Sequence, residues 1–176
     1  MKYTIIIIIG IITLGLIFYF ILPAFQPAED VPQAQFIRIW PAGWLEYKSW
    51  IFKFSLLYPD DLIAKEYSEG KGTTIAFENQ KTRRGFQIFV VPYGENQITP
   101  ERFKSDVPSG VIEDQKDIIL IDGITRASMF YSQNMAMGDT REVWFIKNGF
   151  LYEVTTYREL DAWLSSIIQT WKFLEF

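Results

Sequence analysis

Between Thr4 and Leu22 the chain reads TIIIIIGIITLGLIFYFIL without a single charge, and a uniform apolar run of that length constrains the fold more than any motif after it. As a helix rising about 1.5 Å per residue, it matches a hydrocarbon core about 30 Å thick. The competing reading is a cleaved secretory signal. The apolar core of such a signal usually spans only about 7 to 15 residues, and the downstream LPAFQPAED offers no clear small-x-small cleavage site. Residues 1–22 are therefore read as a retained single-pass anchor. Lys2 precedes the run, and Glu29 and Asp30 are the first charges beyond it. The positive-inside rule then leaves the N-terminus in the cytoplasm and the bulk of the chain extracytoplasmic, at the cell membrane. Phe18, Tyr19, Phe20 and Phe25 fall near the outer end, where rings favour the headgroup level.

Pro23, Pro27, Pro32 and Pro41 are half of the chain's 8 prolines. Proline-rich sequence is extended and semi-rigid, so residues 23–43 read as a juxtamembrane tether and residues 44–176 as a separate extracytoplasmic domain. Cysteine and histidine are both absent. That removes disulfides, thiol nucleophiles, imidazole bases and every zinc or haem site built on sulfur or nitrogen side chains. All 21 acidic residues lie beyond the apolar run, as do all but Lys2 of the 17 basic ones. The domain is thus net negative, and no global basic field exists to hold nucleic acid.

Within the domain, Phe52, Phe54 and Leu56 alternate with Lys53, Ser55 and Leu57 up to Tyr58-Pro59-Asp60-Asp61, a strand pattern ending in a turn. Leu62 to Tyr67, Thr73 to Glu78 and Phe86 to Tyr93 continue as short strands separated by SEGKG and QKTRRG. Both alternating sets of FQIFVVPY are largely apolar, as in a central strand covered on two faces. Thr99 as N-cap, Pro100 at the first helical position and Ile98 opposite Phe103 mark a short helix before Pro108 and Gly110. Asp122-Gly123 and Asn148-Gly149 read as two-residue hairpin turns that set a three-strand register. Leu160, Trp163, Leu164, Ile167, Ile168 and Trp171 fall on one helical stripe, which places Trp163 in the core. Two helices and about seven strands in segregated runs give an α+β class, an antiparallel sheet covered by helices.

The order of these segments resembles a known family. An aromatic opening (Trp44, Tyr47, Trp50), FKFSLLYP before a turn, a central FQIFVV, TPERF, IILIDG, the hairpin WFIKNGFLYEV and a final helix running into WKF together look like the PsbP-like family. The similarity covers about Tyr47 to Phe173. The resemblance implies an α-β-α sandwich with helical cover on both faces, and the habit of acting as a non-catalytic accessory subunit. Photosynthetic members are associated with manganese and calcium and use histidines in places. This chain has no His to receive such a role, so no cofactor is expected.

The remaining constellations are weighed against plainer readings. Ser68 to Thr74, SEGKGTT, lacks the spacing of a phosphate loop and reads as a hairpin turn. Glu113, Asp114, Asp117 and Asp122 could offer oxygen ligands to a hard cation, but they lack the alternation of an EF-hand and read as a solvated loop. Asp60 and Asp61 read as turn formers. Lys81, Arg83 and Arg84 form the one dense basic spot, either a docking tip for an acidic partner or a solubilising turn. Trp40, Trp44 and Trp50, with Phe36, Tyr47 and Phe52 interleaved, either face a membrane or partner or close one edge of the core. Met129, Met135 and Met137 flank a loop, as core filling or as an adaptable contact. No nucleophile elbow, dinucleotide fingerprint, HExxH or kinase signature is present. The spacing of acids and lysines foreshadows no buried charged cluster of the kind a catalyst without His or Cys would need.

The expected function is a membrane-anchored, non-catalytic binding or scaffold domain with a protein partner in the envelope. The alternative is a carrier of an apolar small molecule in an aromatic-rich pocket. If Thr4 to Leu22 is retained, the chain resists alkaline carbonate extraction from membranes, and intact-mass measurement recovers the full N-terminus. A mature chain starting between Ala24 and Pro32 overturns the anchor.

Overall fold

The computed structural model describes residues 41–175. The anchor at 1–22, most of the tether at 23–43, and Trp40 lie outside the described residues. Among those that are described, no helix is long and apolar enough to cross a membrane.

Ten strands and two helices follow one another: β1 (Trp44–Ser49), β2 (Phe54–Pro59), β3 (Ile63–Glu69), β4 (Gly72–Glu78), β5 (Gly85–Pro92), α1 (Pro100–Asp106), β6 (Glu113–Ile119), β7 (Arg126–Asn134), β8 (Gly138–Lys147), β9 (Phe150–Tyr157), α2 (Asp161–Ile168) and a short β10 (Lys172–Phe173). Seven strands form the main antiparallel sheet in the order β3-β4-β5-β9-β8-β7-β6, and β1-β2-β10 form a separate small sheet. The expected count of about seven strands holds for the main sheet alone. Of the Phe52 to Leu57 alternation, Phe54 onward belongs to the second strand and Phe52 and Lys53 to the turn before it, because β1 precedes it and pairs Trp44 with Pro59 and Ser49 with Phe54.

The two meanders join where β5 lies against β9, Ile88 opposite Val154. Gly85 opens β5, and a Cβ there would come 2.4 Å from the Phe77 carbonyl oxygen, so glycine is what lets β4 and β5 close at this point. Asn148 (φ 54°) and Gly149 (φ 79°) are both left-handed between the paired Lys147 and Phe150, the two-residue turn the sequence calls for. Asp122-Gly123 behaves otherwise. The Leu120 N–H donates to the Thr125 carbonyl (2.9 Å) and the Gly123 N–H to the Leu120 carbonyl (2.9 Å), so a longer loop spans Ile121 to Ile124. The cause is Asp122, whose carboxylate accepts from the backbone N–H groups of Ile124 and Thr125 and competes with the tight turn.

Side chains alternate across β8 and β9. Val143, Phe145, Tyr152 and Val154 face the large core, whereas Trp144 packs with Phe130 and Val107 in a second cluster on the opposite face. α1 covers that second face, with Phe103 stacked on Trp144 at 5.1 Å. Its start is as expected: the Thr99 side chain accepts from the Arg102 N–H at 3.2 Å, and Pro100 occupies the first turn. α2 and the small sheet share the first face.

The stripe of the last helix needs correction. α2 ends at Ile168, and Trp171 lies in the turn beyond it. Leu164, Ile167 and Trp171 are buried, while Trp163 is only half-buried, edge-on to Phe86 at 5.9 Å. Trp171 stacks on Phe54 at 4.3 Å and meets Phe145 and Tyr152 edge-on at 5.2 and 5.8 Å. The start of α2 is pinned by Asp161, which accepts two bonds from Arg141 (2.8 and 2.6 Å) and one from the Tyr131 hydroxyl (3.0 Å).

Trp171→Ala should therefore cost about 3 to 5 kcal/mol, and Trp163→Ala less than about 2 kcal/mol. Urea or thermal melts of the two variants check the order. The reverse order would place Trp163 in the core after all.

Candidate functional site

The basic tip is the turn between β4 and β5. Asn79 organises it: its side-chain oxygen accepts from the N–H groups of Lys81 (2.9 Å) and Thr82 (3.2 Å), and its backbone exchanges bonds with Arg83 and Arg84. Lys81 and Arg83 are exposed on this turn, Arg83 with φ of 55°. Arg84 is not presented with them. Its guanidinium folds back onto both oxygens of Asp61 (2.7 and 2.6 Å) and lies 5.4 Å from the Trp163 ring centroid. The guanidinium, with a further bond from Asn79, holds the Asp61 carboxyl below its usual range.

The aromatic window divides. Tyr47 and Phe52 join the core, Tyr47 edge-on to Phe77 at 5.2 Å and Phe52 edge-on to Phe150 at 5.6 Å. Trp44 is half-buried against that core. Trp50 is exposed in the β1–β2 turn beside Ile51, with the Lys48 ammonium 3.9 Å over its ring. Among the methionines, Met129 packs on the core and Met135 projects from the β7–β8 turn.

Of the four acidic residues at 113–122, Glu113 and Asp122 find partners within the domain. Glu113 pairs with Arg158 at 3.2 Å. Burial opposes ionisation of Asp122, but Thr125, the Ile124 N–H and Lys147 outweigh it and bring the carboxyl to about 2. Among the described residues, no cluster of acids is arranged to hold a metal ion.

A groove of about 390 Å³ opens between α2 and the edge strand β6, lined by Ile118, Ile121, Met129, Val143, Leu164 and Ile168 among others. It is aliphatic. The aromatic rings expected to line a carrier pocket interlock as core instead, with Phe77 stacked on Phe86 at 4.4 Å and Phe145 on Tyr152 at 4.9 Å.

A buried charged cluster exists beneath α1, against expectation. Arg102 reaches from α1 to Glu153 on β9 (2.9 Å) and also pairs with Asp106, one turn on. Burial, and then the neighbouring Asp106 carboxylate, push Glu153 up to about 9 despite the guanidinium. Glu142 lies on the same face, accepting from the hydroxyls of Thr140 (2.8 Å) and Thr155 (2.7 Å) and from the Trp144 indole N–H (3.1 Å). Burial raises its carboxyl too. Spacing along the chain hides this cluster because Arg102 and Glu153 are far apart in sequence. The available signal was an acid at an inward position of each of two adjacent strands, VWF preceded by Glu142 and Glu153 within LYEV.

No family model matches the sequence, and no curated protein sequence matches it either. Solved structures do. The solution structure of cyanobacterial PsbP (CyanoP) from Synechocystis sp. PCC 6803 superposes with a TM-score of 0.54, covering 77% of this chain and 95% of that one at 9% sequence identity. The fold is PsbP-like. In this PsbP-like domain the helical cover implied by the sequence resemblance takes the form of α1 on one face and α2 on the other, with the small sheet beside α2.

The buried acid gives a measurable pH dependence. Glu153 starts from 4.5 when unperturbed and rises to about 9 in the fold, so the folded domain keeps a proton that the unfolded chain releases. Its contribution is present below about pH 4.5 and is lost as pH rises toward about 9, and Glu142 acts in the same direction. Glu153→Gln should flatten the fall of Tm across that window. An unchanged slope assigns the loss to other groups.

Proposed function

We propose that this chain is a membrane-anchored, extracytoplasmic accessory domain that is non-catalytic and binds an acidic protein partner through Lys81 and Arg83. The observation that carries the reading is the locked β4–β5 tip. Asn79 fixes the turn backbone and Arg84 is drawn down to Asp61, so two cations stand on a preorganised platform with little left to order on binding. The PsbP-like fold supports an accessory role, and the uncharged run from Thr4 to Leu22 supports the anchor. The buried acids Glu142 and Glu153 are engaged by hydroxyl, indole and guanidinium donors, which suits a structural use.

The aliphatic groove between α2 and β6 favours a second reading, a carrier of an apolar small molecule. Displacement of a fluorescent acyl probe from the purified chain, lost when Leu164 is changed to Gln, is the outcome that would promote it.

In the accessory reading, Lys81→Ala with Arg83→Ala leaves Tm within about 2 °C of wild type. The pair of changes reduces cross-linking to the envelope partner and removes its salt sensitivity. Arg84→Ala lowers Tm, because it leaves Asp61 with Asn79 alone and uncovers Trp163. Unchanged capture by the Lys81/Arg83 variant would move the contact to Trp44 and Trp50. Turnover of an envelope substrate, abolished by one Ser, Lys, Asp or Glu substitution, would refute the non-catalytic role.

A further inference from the structure

Among the described residues, five of the ten exposed large hydrophobics gather at one end of the domain, the other five (Leu45, Ile63, Tyr67, Ile112 and Met135) lying elsewhere. The strand registers place the β1–β2 turn, the β6–β7 loop and the Asn148-Gly149 turn at one end of the fold, opposite the Lys81–Arg83 tip. Four contacts knit that end together. The Tyr152 hydroxyl donates to the Phe52 carbonyl at 2.6 Å; Lys147 pairs with Asp122 at 3.2 Å and lies 5.1 Å from the Phe173 ring centroid; and the Leu174 N–H donates to the Lys53 carbonyl at 2.9 Å. Trp50, Ile51, Ile119, Ile121 and Ile124 project from this end, each between 55% and 76% exposed. Single exposed hydrophobics need no explanation, but five on one knitted platform form a patch.

We propose that this end of the domain docks on the lipid bilayer, with Trp50, Ile51, Ile121 and Ile124 entering the interface between headgroups and acyl chains. The inference rests on the anchored reading above, which puts a bilayer at hand, and it adds which end of the domain faces the lipid.

Two features favour lipid over a protein partner. The β6–β7 loop engages its one carboxylate and several of its backbone groups internally. Asp122 accepts from the Ile124 and Thr125 N–H groups, the Thr125 hydroxyl and Lys147, and Leu120 bonds to Thr125 and Gly123. Entry into an apolar medium is costly chiefly through unsatisfied polar groups, and this loop turns isoleucines outward instead. The second feature is the Lys48 ammonium over the Trp50 ring, with Lys53 three residues on. An indole capped by an ammonium group suits the headgroup level, where rings prefer to sit and where lysine meets phosphate. The chain between Leu22 and Trp44, at about 3.1 Å per extended residue, is long enough for either end of a domain this size to reach the membrane.

The chain has no Cys, so single labels can be placed on the full-length protein. Ile121→Cys, Ile124→Cys and Met135→Cys, each carrying the polarity-sensitive fluorophore NBD, are reconstituted into phosphatidylcholine/phosphatidylglycerol vesicles. Met135 is 97% exposed at the opposite end and serves as the aqueous reference. Docking predicts blue-shifted emission at 121 and 124 that is quenched by doxyl-labelled acyl chains, with water-like, unquenched emission at 135. Adding Trp50→Ser and Ile51→Ser should return the 121 label toward water.

Water-like emission at both 121 and 124 overturns the proposal, even when the chain resists carbonate extraction and the anchor reading stands. Quenching at 121 in a chain that carbonate releases supports the docking surface while the anchor reading fails. A blue shift without lipid quenching also overturns it, because the label would then be lodged in the groove beside α2. Equal quenching at 135 overturns the assignment of this end.

Discussion

Trp171 is where three segments distant in sequence are forced together, and its ring stack on Phe54 is the contact on which the domain's layering depends. The stack at 4.3 Å holds the small sheet, and the edge contacts to Phe145 and Tyr152 hold the main sheet. Thr170, the residue before it, accepts from the Leu57 N–H at 2.8 Å and donates to the Ile167 carbonyl at 2.7 Å. The end of α2 is thereby stitched to β2. A three-stranded sheet with one two-residue strand has little stability of its own, so it exists because these rings give it an apolar face to cover.

The two faces of the main sheet are built by different physics. One is a dry aromatic layer whose rings meet edge-on or stacked. The other mixes a small apolar cluster around Trp144 with a polar stripe of Thr140, Glu142, Glu153 and Thr155, roofed by a seven-residue helix. α1 buries none of its own residues fully, and its hold on the sheet combines the Phe103–Trp144 stack with the Arg102–Glu153 pair. That second face accordingly carries the carboxyls that burial raises, Glu142 and Glu153.

The ends differ as sharply as the faces. Exposed cations stand at one end on a turn held by Asn79, and isoleucines with a tryptophan stand at the other on loops held by Asp122 and Tyr152. The β6 edge of the main sheet is guarded against open pairing. β6 carries charged residues and a break in register between Glu113 and Lys116, with Asp114 left-handed at φ 51°, and such bulged, charged edges resist adding a further strand. At 9% identity to cyanobacterial PsbP, what the two share is the fold.

Local rules account for what the sequence determined alone. Strand alternation, the Thr99-Pro100 helix start and the Asn148-Gly149 turn depend on neighbours within a few residues, and the described structure follows them. Segment order made the PsbP-like architecture legible for the same reason, since each segment keeps its own signature. The number of sheets was not legible, because β1 and β2 read as ordinary strands and only packing against Trp171 sets them apart. Asp122-Gly123 shows a local rule outcompeted by a carboxylate with better backbone partners and a lysine 25 positions away. Trp163 and Trp171 share one helical stripe on paper, yet the helix stops at Ile168 and sends only the second into the core. The basic tip was legible as a cluster of three cations; that Arg84 folds onto Asp61 was decided by the pairing of β3 with β4, which brings the Asp60-Asp61 turn beside the tip. The buried acids and the apolar end were decided by tertiary structure entirely, because both depend on strand register, which brings together residues that no spacing along the chain connects.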